Sequence, residues 1–260
     1  MTNDPVQITK DGSNALRRSS FARREIAPGI TLDARRCVFL SETKTLVIAD
    51  LHFGYAWAQR HSGNLLPLSA EENAAARIGA LAEDYAAREI VLLGDVVHRA
   101  VLVDALKAGL MEFARALSER AVLKMILGNH DRGLEKLLAA CGLNVELMSE
   151  LRRGLHLLTH GDSADFARAQ ILREEARERG GRVIIGHEHP AITISDGVAT
   201  SVKCPCFLLG ERVLVLPAFS DWAAGANNAR SRRFMSPLAR GEVFKQAFAV
   251  LANKLLPVRL

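Results

Sequence analysis

The sequence predicts an α/β protein whose final third is rich in β-structure, and three observations carry that expectation. From about residue 30 to residue 190, short apolar runs of strand length alternate with amphipathic stretches of helical period, the pattern of repeated strand–helix–strand units. Past Pro190 the period falls to two, as in antiparallel strands. The chain has 260 residues, 49% of them hydrophobic and 24% charged, the balance of a globular chain long enough to bury a substantial core.

Taken in order, residues 1–25 are polar and basic, with Arg17, Arg18, Arg23 and Arg24, and read as a flexible arm. "GITLDARRCVFL" and "TLVIAD" read as strands joined by a polar turn at 41–44. "SAEENAAARIGALAEDYAARE" is a helix in which Ser69 and Glu72 make a capping box. "IVLLGD" is a buried strand, "VLVDALKAGLMEFARALSER" a helix and "AVLKMILGNHD" a strand. "RGLEKLLAACG" is a short helix closed by Gly142. The strand "GLHLLTHGD", the helix "DFARAQILREEARERGG" and the strand "RVIIGHEHP" follow. Beyond Pro190, Asp196-Gly197 and Gly210-Glu211 mark turns of an antiparallel meander, and the tail ends in a helix or a strand pair. No repeat or linker interrupts the chain, so one domain over 26–260 is expected.

The net charge of +5 and a sequence pI near 9.2 make the protein mildly basic, compatible with a polyanionic partner. No apolar run is long enough to span a bilayer, and the N-terminus lacks the apolar core of a secretory signal. The expectation is a cytoplasmic protein that makes no use of a membrane. The cysteines, Cys37, Cys141, Cys204 and Cys206, form no CxxC pair and are expected to be reduced. Cys204 and Cys206 are spaced to share one face of a strand.

The polar residues of interest sit where strands end. Asp50 and His52 follow "LVIA", Gly94-Asp95 follows "IVLL", and Gly128-Asn129-His130-Asp131 follows "LKMIL". His160-Gly161-Asp162 follows "LHLLT", and Gly186-His187-Glu188-His189 follows "RVII". In an open α/β sheet, sites lie outside the carboxyl ends of the strands, so these five clusters should converge. No GxSxG elbow supplies a nucleophile. Imidazole, carboxylate and amide oxygen without thiolate suit Mn, Fe, Zn, Ni or Co. Seven such groups exceed the needs of one tetrahedral ion and suffice for two, which together arm a bound water and clamp a tetrahedral phosphorus.

In order, "DLH", "GD", "GNHD", "HGD" and "GHEH" make the chain resemble the calcineurin-like metallophosphoesterases over residues 30–219. The variants "ADLHFGY", "GDVVH" and "LPAF" resemble the bacterial DNA-ligase-associated subgroup. The resemblance implies a two-sheet β-sandwich flanked by helices, a four-layer αββα fold. It implies that Asp50, His52 and His189 hold a first metal, that Asn129, His160 and His187 hold a second, and that Asp95 bridges them. His130 would act as catalytic residue beside the scissile phosphate, oriented by Asp131. The two divalent ions are expected to be manganese, with Fe, Zn, Ni and Co as alternatives. The implied substrate is a phosphodiester, DNA or RNA included, in a DNA-repair setting with a ligase or helicase as partner. A phosphomonoesterase acting on a small metabolite would use the same machinery. A non-catalytic scaffold would have lost ligands that are all present here.

Other residues carry weaker signals. His98, three residues past Asp95, either touches substrate or a residue behind a ligand, or faces solvent at a helix start. His156 reads as packing, His61 has no supporting context, and Glu188 and Asp162 receive no ligand role. The basic run "ARSRRF" at 229–234 reads either as a solvated face or as a contact for a phosphate backbone.

Overall fold

The apolar runs form two β-sheets stacked face to face, in a computed structural model that describes residues 21–61, 63, 64, 66, 73–100, 103–162, 165–195, 197, 199–223, 225 and 227–260. The first sheet runs in chain order: β1 (Arg23–Ala27), β2 (Ile30–Asp33), β3 (Cys37–Leu40), β4 (Thr45–Ala49), β5 (Glu89–Leu93), β6 (Val122–Ile126) and β7 (Glu146–Met148). Its β1–β4 pairings are antiparallel, and its β4–β7 pairings are parallel.

The second sheet contains β8 (Glu150–Arg153), β9 (His156–Thr159), β10 (Val183–Ile185), β11 (Ala191–Ser195), β12 (Ser201–Leu209), β13 (Val213–Val215), β14 (Gln246–Leu251) and β15 (Lys254–Arg259). Its order is β15-β14-β12-β13-β10-β9-β8, and β11 pairs with β12. The described helices are α1 (Tyr55–His61), α2 (Ala74–Tyr85), α3 (Asp104–Ser118), α4 (Leu134–Ala140), α5 (Phe166–Glu178), α6 (Asn228–Ser231) and α7 (Pro237–Arg240).

Period-two alternation sorts each central strand between two cores. In β4, Leu46 and Ile48 pack outward against a cluster that includes Ile78 and Leu81 of α2, Leu110 of α3 and Leu137 of α4. Val47 and Ala49 face inward. In β10, Ile184 faces inward while Val183 and Ile185 meet Ala169 and Leu172 of α5. The inward faces of both sheets, with Phe207 and Phe248 from the second, form the layer that joins them. The result is the expected helix–sheet–sheet–helix stack.

Several local expectations change. The arm does not extend to residue 25. Arg23–Ala27 form an edge strand on β2, turned by Gly29 at φ 81. Arg23 is held there by Asp33 and Asp84 and lies over the Tyr85 ring; the unbroken charged run Arg23-Arg24-Glu25 masked this strand. Residues 1–20 of the arm, like Ser69 and Glu72 of the capping box, lie outside the described residues. The strands after Pro190 pair antiparallel as expected, β11 with β12, β12 with β13 and β14, and β14 with β15. β13 lies parallel to β10, so this part of the chain completes the second sheet. The tail resolves as the pair β14–β15. Cys204 and Cys206 share the outer face of β12, and all four cysteines are free and buried.

Phe207, fully buried between the sheets, gives a direct check. Phe207→Ala should cost about 3–5 kcal/mol in a urea unfolding series; a loss under about 1 kcal/mol would show that the sheets do not pack through it.

Candidate metal centre

The parallel strands of both sheets end at one place. β4, β5 and β6 of the first sheet deliver Asp50 and His52, Asp95, and Asn129 and His130. β9 and β10 of the second deliver His160, His187 and His189. Backbone turns aim these side chains. Asp50, His52, Asp95, His187 and His189 all have φ between 40 and 66°, a left-handed conformation that costs non-glycine residues roughly 1–3 kcal/mol each and clusters at functional sites. Gly94 and Gly128 make room: a Cβ on either would collide with the His160 ring.

Potential ligand atoms gather into three groups among the described residues, one of them His52, His98 and His130, and the other two share one carboxylate. Atoms of Asp50, His52, Asp95 and His189 lie within 4.8 Å of one another, as do those of Asp95, His160 and His187. Asp95 presents Oδ2 to His52 Nε2 at 3.8 Å and Oδ1 to His160 Nε2 at 3.4 Å. His52 Nε2 and His189 Nε2 are 3.2 Å apart, and His189 Nε2 is 3.4 Å from Asp50 Oδ1. Asn129 Oδ1 joins the other group, 3.3 Å from His160 Nε2.

These spacings fit metal ions. Donors bound at about 2.1 Å lie roughly 3.0–3.4 Å from one another along the edges of an octahedron or tetrahedron. Two imidazole nitrogens at 3.2 Å face each other with at most one proton between them, a contact that a shared cation relieves. His52 Nδ1 is buried without a partner among the described residues. The chain thus fits a dinuclear divalent centre with N and O ligands.

The supports are explicit. The His187 backbone N–H donates to Asp50 Oδ1 at 3.0 Å, joining the two sheets, and the His130 N–H donates to Asp95 Oδ1 at 2.9 Å. His160 Nδ1–H donates to the Leu93 carbonyl at 3.2 Å, which turns Nε2 toward Asp95 and Asn129. His130 Nδ1–H donates to the His98 carbonyl at 3.0 Å, which leaves Nε2 as the ring nitrogen not engaged in that bond.

Asp131 does not take the role expected of it. Its oxygens accept from the Val97 N–H at 3.0 Å and the Gly128 N–H at 2.8 Å. It ties the Asn129–His130 turn to the Asp95 turn, and a backbone carbonyl does the orienting instead. Glu188 is buried and points away from the cluster, accepting from Ser236 N and Asn228 Nδ2. His98 stacks on His130 at 5.3 Å and lies edge-on to His52 at 5.7 Å, so it lines the site. His156 accepts from the Arg182 N–H, well into the second sheet.

Charge is balanced inside the cluster. Burial would raise the Asp95 pKa, but the His160 hydrogen bond and charge and the His130 N–H hold it well below the carboxylate range. Burial would lower that of His160, yet Asp95 and Asp50 raise it to about 9. Burial and then His189 push that of His52 down to about 4. For Asp131, burial outweighs its N–H partners and gives about 6.

Metal uptake must compete with this proton. His160 is protonated below about 9, above its ordinary 6.5, and a cation at Nε2 must displace that proton. Manganese affinity should therefore rise with pH between those values. Calorimetric titration at pH 7 in two buffers of different ionisation enthalpy should register proton release; uptake without protons would contradict the His160 assignment.

Known proteins share this architecture. The model of the calcineurin-like phosphoesterase family matches residues 43–191, more than half of the chain. A crystal structure of the Pseudomonas putida nuclease MPE superposes with a TM-score of 0.63 at 20% sequence identity, covering 92% of this chain and 100% of that one. No curated protein matches the sequence.

Proposed function

The chain belongs to the calcineurin-like phosphoesterase family, and from that premise we propose that it hydrolyses phosphodiesters of nucleic acids or nucleotide-type substrates with two manganese ions. The observation that carries this reading is the Asp95 carboxylate, whose two oxygens face two separate ligand groups. In this reading Asp50, His52 and His189 hold one ion, Asn129, His160 and His187 the other, and Asp95 both. The donor set also accepts Fe, Zn, Ni or Co. Bound there, the ions supply a water of lowered pKa and a clamp on phosphate oxygens.

The chain's own residues do the rest. His130 is the catalytic acid. Its Nδ1–H is committed to the His98 carbonyl, so Nε2 is the nitrogen that meets the leaving oxygen and delivers the proton. Its ring stands edge-on to His52 at 4.9 Å, beside the ligand groups. Asp131 fixes the turn that carries it. Arg99 and Arg132, next in sequence to His98 and to Asp131, are exposed and have no ion-pair partner among the described residues. They favour a substrate with more than one phosphate. The Pseudomonas putida neighbour is named a nuclease, which agrees with this reading. The DNA-repair setting and a ligase or helicase partner rest on the subgroup motifs.

Turnover of bis(p-nitrophenyl) phosphate against p-nitrophenyl phosphate, across Mn, Ni, Co and Zn, tests the substrate class. The diester should be preferred by at least about tenfold in kcat/KM, and a monoester preference would point to a small phosphorylated metabolite instead. Asp95→Ala should abolish metal-dependent hydrolysis, a loss of at least about a thousandfold. His130→Ala should lower kcat about 100- to 10,000-fold while metal analysis still finds both ions; metal loss with unchanged turnover per bound ion would reverse its role.

A further inference from the structure

The described residues of one segment, 219–236, follow the rim of the metal centre and touch most of its loops. Phe219 N–H donates to the Ala49 carbonyl at 2.9 Å and Ser220 N–H to the Asp50 carbonyl at 3.2 Å. Trp222 lines a small cavity together with Leu51, His52 and Phe53. Gly225 lies so close to the His189 carbonyl that a Cβ there would stand 2.8 Å from it. Asn228 donates to the Glu188 carbonyl at 2.9 Å. Ser236 N–H donates to the Glu188 carboxylate, and its hydroxyl donates to the Gly161 carbonyl at 2.6 Å. Asn228, Glu188 and Ser236 are all buried.

The segment carries two further kinds of group. At one end Trp222 lies nearly parallel to Tyr55, with centroids 6.1 Å apart and planes at 13°. Tyr55 meets the His98 ring at 4.6 Å, so the pair stands one ring away from His130 and His52. The Trp222 indole N–H is buried with no acceptor among the described residues. At the other end Arg230, Arg232 and Arg233 are exposed. None has an ion-pair partner among the described residues, whereas Arg77 and Arg36 nearby are both paired with Asp221. Aromatic rings and exposed cations are the two elements with which proteins hold single-stranded nucleic acid: bases stack, and phosphates displace counterions.

We propose that the described residues of 219–236 form a track for single-stranded nucleic acid, with a base stacked at Tyr55–Trp222 and the phosphate backbone on Arg230, Arg232 and Arg233. The buried bonds of Asn228 and Ser236 hold the track against the turns that carry His160, His187 and His189, so a strand seated on it is registered to the metal centre. This inference rests on the phosphodiesterase reading and specifies its substrate.

The test is fluorescence anisotropy of the manganese-loaded full-length protein with a fluorescein-labelled, hydrolysis-resistant phosphorothioate oligo(dT), across a salt series. The wild type should bind with a steep salt dependence. The triple variant R230A/R232A/R233A should reduce the slope of log K against log salt by about 0.7 for each phosphate that is no longer neutralised, and R230K/R232K/R233K should restore it. Trp222→Ala should weaken binding by about fivefold or more. Thermal melts within a few degrees of wild type certify that the variants are folded. Wild-type binding with an unchanged slope and affinity in folded variants would overturn the track and leave the phosphodiesterase reading standing. Tighter binding of a duplex than of the single strand, with the same arginine dependence, would overturn the stacking half. No oligonucleotide binding by wild type that hydrolyses a small aryl phosphate would overturn both the track and the nucleic-acid substrate.

Discussion

Everything in this molecule is arranged around the carboxylate of Asp95, which looks two ways. One oxygen faces a histidine of the first sheet, and the other faces a histidine of the second. Asp95 and Asp50 stand among His52, His160, His187 and His189 with donor atoms spaced as cations require. The two sheets must therefore stack so that the carboxyl ends of their parallel strands meet, and the hydrogen bond from His187 N–H to Asp50 secures that meeting. Five left-handed, non-glycine residues turn the ligands inward at a combined conformational cost. The apolar layer between the sheets offsets it, since the inward residues of β4, β5, β10 and β13 are all fully buried.

Support for the centre extends well beyond its ligands. Asp131 gives both oxygens to backbone N–H groups of two different turns, so that the Asn129–His130 and Asp95 loops move as one. Glu188, flanked by two ligands, faces the other way and binds Ser236 and Asn228. Such second contacts orient ligands as much as the ligands orient a metal. They also explain why a long segment after β13, poor in regular structure, is nevertheless tied down: its polar groups are spent on the turns that carry the histidines.

Much of this was legible in the sequence because the site lies at strand ends. Short continuous apolar runs located β4, β5, β6, β9 and β10, and the residues after each run were necessarily the ones at the carboxyl edge. What escaped was short, or carried its signal in space rather than in period. β7 and β8 are three and four residues long, separated by Ser149 alone, and "VELMSELRR" mixes polar and apolar residues without a clean alternation. β1 is an edge strand of charged residues, whose pairing depends on Asp33 and Asp84 rather than on burial. Adjacency of Asp131 to His130 suggests a partner, whereas the turn sends the two side chains apart and Asp131 bonds Val97 N–H and Gly128 N–H instead. The proximity of Trp222 to Tyr55 spans 167 positions of sequence and left no local trace.

Electron paramagnetic resonance of the manganese-loaded protein reads whether Asp95 joins two cations into one unit. Two ions sharing a carboxylate couple magnetically, so at saturating metal the account predicts a broad, multi-line spectrum with a temperature-dependent intensity. A simple six-line spectrum of isolated manganese at full occupancy would contradict it.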